Sequence, residues 1–361
     1  MQVLLVAGAR PNFMKIAPLL RVARTLADVT CRIVHTGQHY DYAMSQTFFQ
    51  DLELPQPDCF LDAGSGSHAT QTGKIMVAFE KVLQTEHPDW VVVVGDVNST
   101  LACSIVAKKA QVKVAHVEAG LRSRDMAMPE EINRIVTDSL SDLFFVTEQS
   151  GIDNLLQEGK PKESVHLVGH VMIDNLLHQV EQLNSNNVHA LSTYALKEQY
   201  SQYGFMTLHR PSNVDSEPVF RGIAEALNQI AEALPLFFPV HPRTRKMMDR
   251  FGIDLSDNIT CLNPLGFRES LYLWKEAQVV LTDSGGLQEE TTGLSVPCVT
   301  IRENTERPIT IEMGSNVLAG TSTQGILDGY REAMKKKNIG RPPLWDGRAA
   351  ERIWQLLRQN N

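Results

Sequence analysis

The chain has 361 residues, 43% of them hydrophobic and 21% charged, with a formal net charge of -8. That length exceeds what one hydrophobic core usually serves, so two domains are expected. Acidic and basic residues are interspersed and no apolar run is long enough for a bilayer, which argues against nucleic acid and membrane partners.

The chain starts directly with Gln2-Val3-Leu4-Leu5-Val6-Ala7, a short apolar strand without a charged leader, and this predicts a cytoplasmic protein. Short apolar runs then alternate with segments of helical period. The runs are Val3 to Ala7, Cys31 to Thr36, Trp90 to Gly95, Val112 to Val117, Leu143 to Val146 and Val165 to Val168, then Phe205 to Leu208, Leu236 to Val240, Ile259 to Leu262, Val279 to Leu281 and Cys298 to Ile301. Continuous apolar runs of this length are the pattern of parallel strands buried on both faces. They predict an α/β fold of two Rossmann-like, doubly wound parallel-sheet domains. The division is placed near Gly169, with an N-terminal domain over residues 1–169 and a C-terminal domain over residues 170–340. A polar stretch, Asn184 to Asn187, follows that point, and a new strand-helix series begins at Phe205. The amphipathic segment Arg348 to Arg358 either caps its own domain or crosses back, in which case residues 345–361 join the first domain.

Five scattered cysteines, Cys31, Cys59, Cys103, Cys261 and Cys298, are read as buried reduced thiols. There is no CxxC or HExxH, and the eleven histidines show no metal-ligand spacing, so no metal is expected. Gly66 to Lys74 resembles a phosphate-binding Walker A loop, but its glycines are too far apart and Ile75 stands where Ser or Thr is required. No GxGxxG follows the first strand either. ATP and NAD are disfavoured, and no cofactor is expected.

In doubly wound sheets ligands bind beyond the carboxyl ends of the strands. The first strand ends in Gly8-Ala9-Arg10-Pro11-Asn12 with Lys15 one turn later, so two cations can face a diphosphate there, unless they are merely solvated charges around a turn. Two further strands end in carboxylates, Asp96 and Glu118, and Glu130-Glu131 follows Pro129 at a helix start. The blander account of Glu131 is an acidic first turn complementing the helix dipole. Three carboxylates at one cleft would repel, which predicts that at least one is protonated near neutral pH and supplies an acid beside a base.

In the second half, Val279-Val280-Leu281 runs into Thr282-Asp283-Ser284-Gly285-Gly286 and then a helix carrying Glu290. Small residues at a helix N-terminus let an anion approach free N–H groups, although an ordinary capped turn has the same outline. His209 and His241 end neighbouring strands, and His209 is expected opposite the Ser284 turn.

These segments together resemble the non-hydrolysing UDP-N-acetylglucosamine 2-epimerase family, which has GT-B architecture with two domains facing a central cleft. The resemblance rests on Gly8-Ala9-Arg10-Pro11 with Lys15, Gln38-His39, Gly95-Asp96, His116 to Arg122, Pro129 to Arg134, His209-Arg210, Thr282 to Glu290 and Thr305 to Pro308. It implies an isomerase that interconverts UDP-N-acetylglucosamine and UDP-N-acetylmannosamine, or a related UDP-2-acetamido sugar, through anti elimination of UDP to a 2-acetamidoglucal and re-addition. It further implies Asp96, Glu118 and Glu131 as the acid/base set, with His209 assisting at the phosphate side. Arg10, Ser284, Gly285 and Gly286 would hold the diphosphate, Glu290 the ribose, and Arg307 the sugar or the carboxylates around it. Lys15 would set the charge of the carboxylate cluster, and Gln38 and His241 would serve an allosteric UDP-N-acetylglucosamine site. A homodimer and surface-polysaccharide precursor synthesis are also implied.

Some residues depart from the family pattern. Gly8-Ala9-Arg10-Pro11 also occurs in relatives acting on diacetamido-uronic acid sugars, and the Arg-Gln pair of the allosteric site is missing near Gly64 to His68. Ser270 stands where an aromatic residue often stacks on uracil, and Phe267 or Tyr272 can take that place. The competing readings are a UDP-diacetamido-uronate 2-epimerase, a GT-B glycosyltransferase, a hydrolysing epimerase and a non-catalytic UDP-sugar-binding protein. The three carboxylates favour epimerisation over a glycosyltransferase and a non-catalytic binding protein, and the first loop with Arg10-Pro11 differs from that of hydrolysing epimerases.

Overall fold

The computed structural model describes residues 1–37, 49, 52–185, 188–336 and 339–361, so Gln38 and His39 lie outside the described residues. The chain divides into two compact units, Met1–Asn175 with Pro343–Asn361, and Leu176–Pro342.

The first unit carries β1 (Gln2–Ala7), β2 (Thr30–His35), β3 (Cys59–Phe60), β4 (Trp90–Val94), β5 (Lys113–Val117), β6 (Leu143–Val146) and β7 (Val165–Leu167). They form a parallel sheet in the order β3-β2-β1-β4-β5-β6-β7. The order reverses between β1 and β4, the position where such sheets open a crevice for ligand. Register sets what meets there: Val94 pairs with Val117, so β4 and β5 end level and the residues after them emerge side by side.

Both sheet faces are covered, which is why the strands read as unbroken apolar runs. On one face Val3, Leu5 and Val92 pack against Ile16 and Leu19 and against Ile353, Trp354 and Leu357. On the other, Leu4, Val6, Val91 and Val93 meet Ile75, Phe79 and Cys103. The helix Ala349–Gln359 therefore packs with the first unit. Trp354 Nε1 donates to the Leu19 carbonyl at 2.8 Å, and the Asp174 carboxylate accepts the Ala349 and Ala350 N–H groups at 3.1 and 2.7 Å. Asp174 thus acts as a remote cap for that helix.

The second unit carries β8 (Gly204–Thr207), β9 (Leu236–Pro239), β10 (Ile259–Leu262), β11 (Val280–Thr282), β12 (Cys298–Thr300) and β13 (Asn316–Leu318). Its parallel order is β10-β9-β8-β11-β12-β13, reversing between β8 and β11. The fold is thus α/β with two doubly wound parallel sheets.

Two strands escaped the sequence reading, β3 and β13. Both are short edge strands, and β13 opens on Asn316, so neither shows the apolar run that marks a doubly covered strand. The Walker-like stretch is helical instead: Ser67 Oγ accepts the Thr70 N–H at 3.2 Å and caps the helix His68–Glu86, with Gly73 and Lys74 inside it. All five thiols are free, and Cys103 and Cys298 are buried, but Cys261 is exposed. The expectation of buried thiols thus holds fully only at Cys103 and Cys298: Cys31 and Cys59 are half-buried, and Cys261 lies on β10, an edge strand whose outward residues meet solvent.

Candidate functional site

The turn after β1 is built around Asn12. Its Oδ1 accepts the Gly8 and Ala9 N–H groups at 3.2 and 2.9 Å, and its Nδ2 donates to the Val94 carbonyl at 3.0 Å. The end of β1 is thereby tied to the end of β4. A Cβ at Gly8 would lie 2.0 Å from Ser99 Oγ, so only glycine fits this approach. The helix Arg10–Ala23 starts here, with Pro11 in its first turn. Arg10 is exposed, whereas Lys15 is buried and ion-paired with Glu118. The two cations expected to face a diphosphate together are therefore differently disposed, Lys15 being turned inward to a carboxylate.

Gly95 and Glu118 both adopt left-handed backbone, φ 66° and 72°. A methyl group on Gly95 would lie 2.8 Å from Lys15 Nζ and 3.9 Å from Glu118 Oε2, so this glycine makes room for the ion pair. For a buried glutamate the left-handed conformation costs about 1–2 kcal/mol. It is held because the Glu118 and Ala119 N–H groups both donate to the Phe145 carbonyl, at 2.9 and 3.2 Å.

The helix Pro129–Leu140 supplies the third carboxylate and its cation. Glu131 and Arg134 share a face at i, i+3 spacing. Glu131 accepts the Ser123 and Arg124 N–H groups at 3.0 and 2.8 Å and the Arg134 Nε and Nη2 donors at 3.0 and 2.6 Å. Burial opposes its charge, but the Ser123 N–H, the Arg134 guanidinium and the Arg124 N–H outweigh it and hold the carboxyl below its usual range. Arg134 Nη1 also reaches Asp96 Oδ2 at 2.6 Å, and Asn133 Nδ2 donates to the Asp96 carbonyl at 2.8 Å. Side-chain exposure is 33% for Asp96 against 6% for Glu118 and 1% for Glu131, so Asp96 is the most accessible of the three.

Repulsion among the three carboxylates was expected to leave one protonated. At Glu131 the reverse holds, because Arg134 is interposed, and Lys15 likewise pairs with Glu118. Arg134 and Asn133 fell inside a recognised motif without a role; the signal that could have found Arg134 is its i, i+3 spacing from Glu131. Asn12 was likewise passed over.

In the second unit the corresponding turn follows β11. Asp283 is fully buried and accepts the His209 and Arg210 N–H groups at 2.9 and 2.8 Å, with His209 Nδ1 at 3.0 Å from its Oδ1. Burial opposes its charge, yet His209 and these N–H donors hold its carboxyl below the usual range. His209 therefore sits beside the Ser284 turn rather than opposite it, since β8 and β11 are hydrogen-bonded neighbours with Thr207 paired to Thr282. Asp283 is the hub of this arrangement and had been read only as part of the loop.

Ser284 makes no side-chain cap to the helix Gly285–Leu294, and a Cβ at Gly285 or Gly286 would meet nothing within 4 Å. Open space thus adjoins that helix N-terminus, where an anion is favoured. Further along, Glu289 Oε1 pairs with Arg307 Nε at 2.6 Å. Glu290 is buried, and burial with the neighbouring Glu289 pushes its carboxyl up to about 8. Thr305 Oγ1 donates to Gln288 Oε1 at 2.6 Å, tying the Thr305 to Pro308 segment to the same helix.

His241 caps the helix Pro242–Phe251, its Nδ1 accepting the Arg243 N–H at 3.2 Å, and its ring centroid lies 5.9 Å from that of His209. Tyr272 is buried and carries Lys197 Nζ over its ring at 4.1 Å, so its face is already used. Phe267, only half-buried at the start of its helix, remains the aromatic candidate.

Acidic groups with fixed cations at one switch point, and a phosphate-type turn at the other, define an α/β enzyme of the GT-B class. The sequence matches the UDP-N-acetylglucosamine 2-epimerase family over residues 22–358. It is 40% identical to the UDP-N-acetylglucosamine 2-epimerase of Methanocaldococcus jannaschii, over 99% of both chains. It is also 40% identical to the UDP-2,3-diacetamido-2,3-dideoxy-D-glucuronate 2-epimerase of Pseudomonas aeruginosa, again over 99% of both. The solved Methanocaldococcus jannaschii UDP-GlcNAc 2-epimerase in complex with UDP-GlcNAc and UDP matches with a TM-score of 0.85 at 38% identity, covering 99% of this chain and 100% of that one. This chain belongs to the UDP-N-acetylglucosamine 2-epimerase family and is an isomerase by class. No helix among the described residues is long and apolar enough to cross a membrane.

Proposed function

We propose that the protein inverts C2 of a UDP-2-acetamido sugar, interconverting UDP-N-acetylglucosamine and UDP-N-acetylmannosamine. A basic group takes the C2 proton, the C–H electron pair forms the C1=C2 bond, and the C1–O bond breaks with its electrons leaving on UDP. Protonation of the resulting 2-acetamidoglucal at the other face of C2, and return of the UDP oxygen to C1, complete the inversion.

The observation that carries this reading is the pair of neighbouring strand ends bearing Asp96 and Glu118, each beside a fixed cation, Arg134 and Lys15. Inversion needs proton-transferring groups at two faces, and two differently paired carboxylates supply them. Glu131, already accepting four hydrogen bonds, serves by orienting Arg134 and the Ser123-Arg124 segment. The N–H groups at Ser284, Gly285 and Gly286 hold the diphosphate, with His209 assisting at departure. Glu290 binds the ribose and Arg307 the sugar. The protein acts as a cytoplasmic homodimer supplying a surface-polysaccharide precursor. A UDP-diacetamido-uronate substrate is the second reading, supported by the 40% identity to the Pseudomonas aeruginosa enzyme.

Incubation in deuterium oxide with each UDP-sugar tests the proposal. Deuterium should enter C2 while UDP stays attached, and the substrate that exchanges fastest identifies the sugar. No exchange with any of them, or dominant release of free UDP and free sugar, would overturn it.

A further inference from the structure

His116 lies on β5 with no exposure to solvent, and the proton chemistry above makes no use of it. Its Nδ1 is 2.6 Å from Asp138 Oδ1 and its Nε2 is 2.9 Å from the Gly95 carbonyl oxygen. A carbonyl oxygen only accepts. Asp138 is also an acceptor, since a backbone N–H and the Arg122 guanidinium both point at its other oxygen and favour the carboxylate. With an acceptor at each ring nitrogen, a neutral imidazole would set one lone pair against an oxygen lone pair. Two N–H donors satisfy both contacts.

The second oxygen of Asp138 accepts the Gly120 N–H at 3.1 Å and pairs with Arg122 Nη1 at 2.7 Å. Arg122 in turn pairs with Glu158, so the charges around the imidazole alternate and are compensated. One continuous hydrogen-bonded link therefore runs from the Gly95 carbonyl through His116 and Asp138 to the Gly120 N–H. Gly95 immediately precedes Asp96, and Glu118 lies between His116 and Gly120. The three residues at these turns, Gly95, Glu118 and Gly120, all have left-handed backbone, at φ 66°, 72° and 80°. The two glycines take this backbone freely, but at Glu118 it persists only where the surroundings over-determine it.

We propose that His116 is a positioning residue which, protonated on both ring nitrogens, ties the turn bearing Asp96 to the turn bearing Glu118 through Asp138. The link sets the relative position of the two carboxylates to which the epimerase reading gives the proton transfers, and its catalytic consequence rests on that reading. Displacing either carboxylate by about 1 Å costs on the order of 10²-fold in rate.

Two measurements decide it. In protein carrying 15N-labelled histidine at pH 7, the His116 signals, assigned by their loss in His116→Gln or their shift in Asp138→Asn, should show a proton on each ring nitrogen. A single neutral tautomer overturns the proposal. In turnover assays, His116→Gln and Asp138→Asn should each lower kcat by about 10²-fold while KM and UDP affinity change less than about threefold, the pattern of misplaced chemistry with intact binding. Should His116→Gln not fold, Asp138→Asn alone carries this arm. Unchanged kcat in a folded variant, or losses confined to KM, overturns the positioning role. A wild-type protein without C2 exchange overturns the epimerase reading instead, and the ring-proton spectrum still decides the link.

Discussion

Arg134 Nη1 lies 2.6 Å from Asp96 Oδ2, joining a side chain in the middle of a helix to the turn that follows β4. The same guanidinium holds Glu131 through Nε and Nη2. A planar fork serves both carboxylates at once, which a lysine ammonium cannot do with the same geometry.

Arg134→Ala should therefore be costly in two ways. Leaving Glu131 buried without its cation should lower stability by about 3–5 kcal/mol in urea unfolding. Turnover should also fall, because Asp96 loses its anchor. Arg134→Lys should retain most of the stability and still lose at least about tenfold in kcat. Wild-type stability in Arg134→Ala would show that the pair contributes nothing to the fold.

Lys15 and Glu118 are expected to be strongly coupled, since both are buried and paired with each other. Lys15→Met or Glu118→Gln alone should destabilise by about 3 kcal/mol, each leaving one buried charge uncompensated. The double variant should recover much of that loss while remaining inactive. A double-mutant cycle from urea unfolding gives the coupling directly, and additive single effects would contradict it.

Glu290 predicts a pH effect in the unliganded protein. Its carboxyl is raised to about 8 by burial and by Glu289, so the folded state keeps the proton after the unfolded chain has lost it. Its contribution to stability is thus complete below the ordinary carboxylate range and is lost as pH rises toward about 8. The melting temperature of wild type should fall more between pH 5 and pH 9 than that of Glu290→Gln. Parallel curves for the two proteins would show that Glu290 does not titrate in this window.

Strands buried on both faces were legible because they have no polar alternation to obscure them: β4, Trp90–Val94, is one unbroken apolar run with every residue buried. The edge strands β3 and β13 were not, since neither is long enough or apolar enough to show a period. Asp96, Glu118 and Ser284 drew notice because polar residues directly beyond apolar runs mark strand ends. Arg134 stands at i, i+3 from Glu131, a local signal, but its second partner Asp96 is distant in sequence, as are the partners that give Asp138 and Asn12 their roles. Asp138 meets His116 twenty-two residues away, and Asn12 meets Val94 eighty-two residues away.

The sequence by itself determined the strand rhythm, the fold class and the residue types at the strand ends, because burial on two faces and helix starts leave local marks. Tertiary structure alone decided how those residues are paired. Strand order brings β1, β4 and β5 together, and the Val94–Val117 register levels the ends of β4 and β5, so Lys15 meets Glu118 and Arg134, already paired with Glu131 on its own helix, also reaches Asp96. Charge state follows from such pairing: Glu131 is held down by Arg134 and two backbone N–H donors, while Glu290 is pushed up by burial beside Glu289. Local spacing hints at each neighbour, Arg134 three residues from Glu131 and Glu289 beside Glu290, but the degree of burial and the Ser123 and Arg124 N–H donors that fix the outcome come only with the fold.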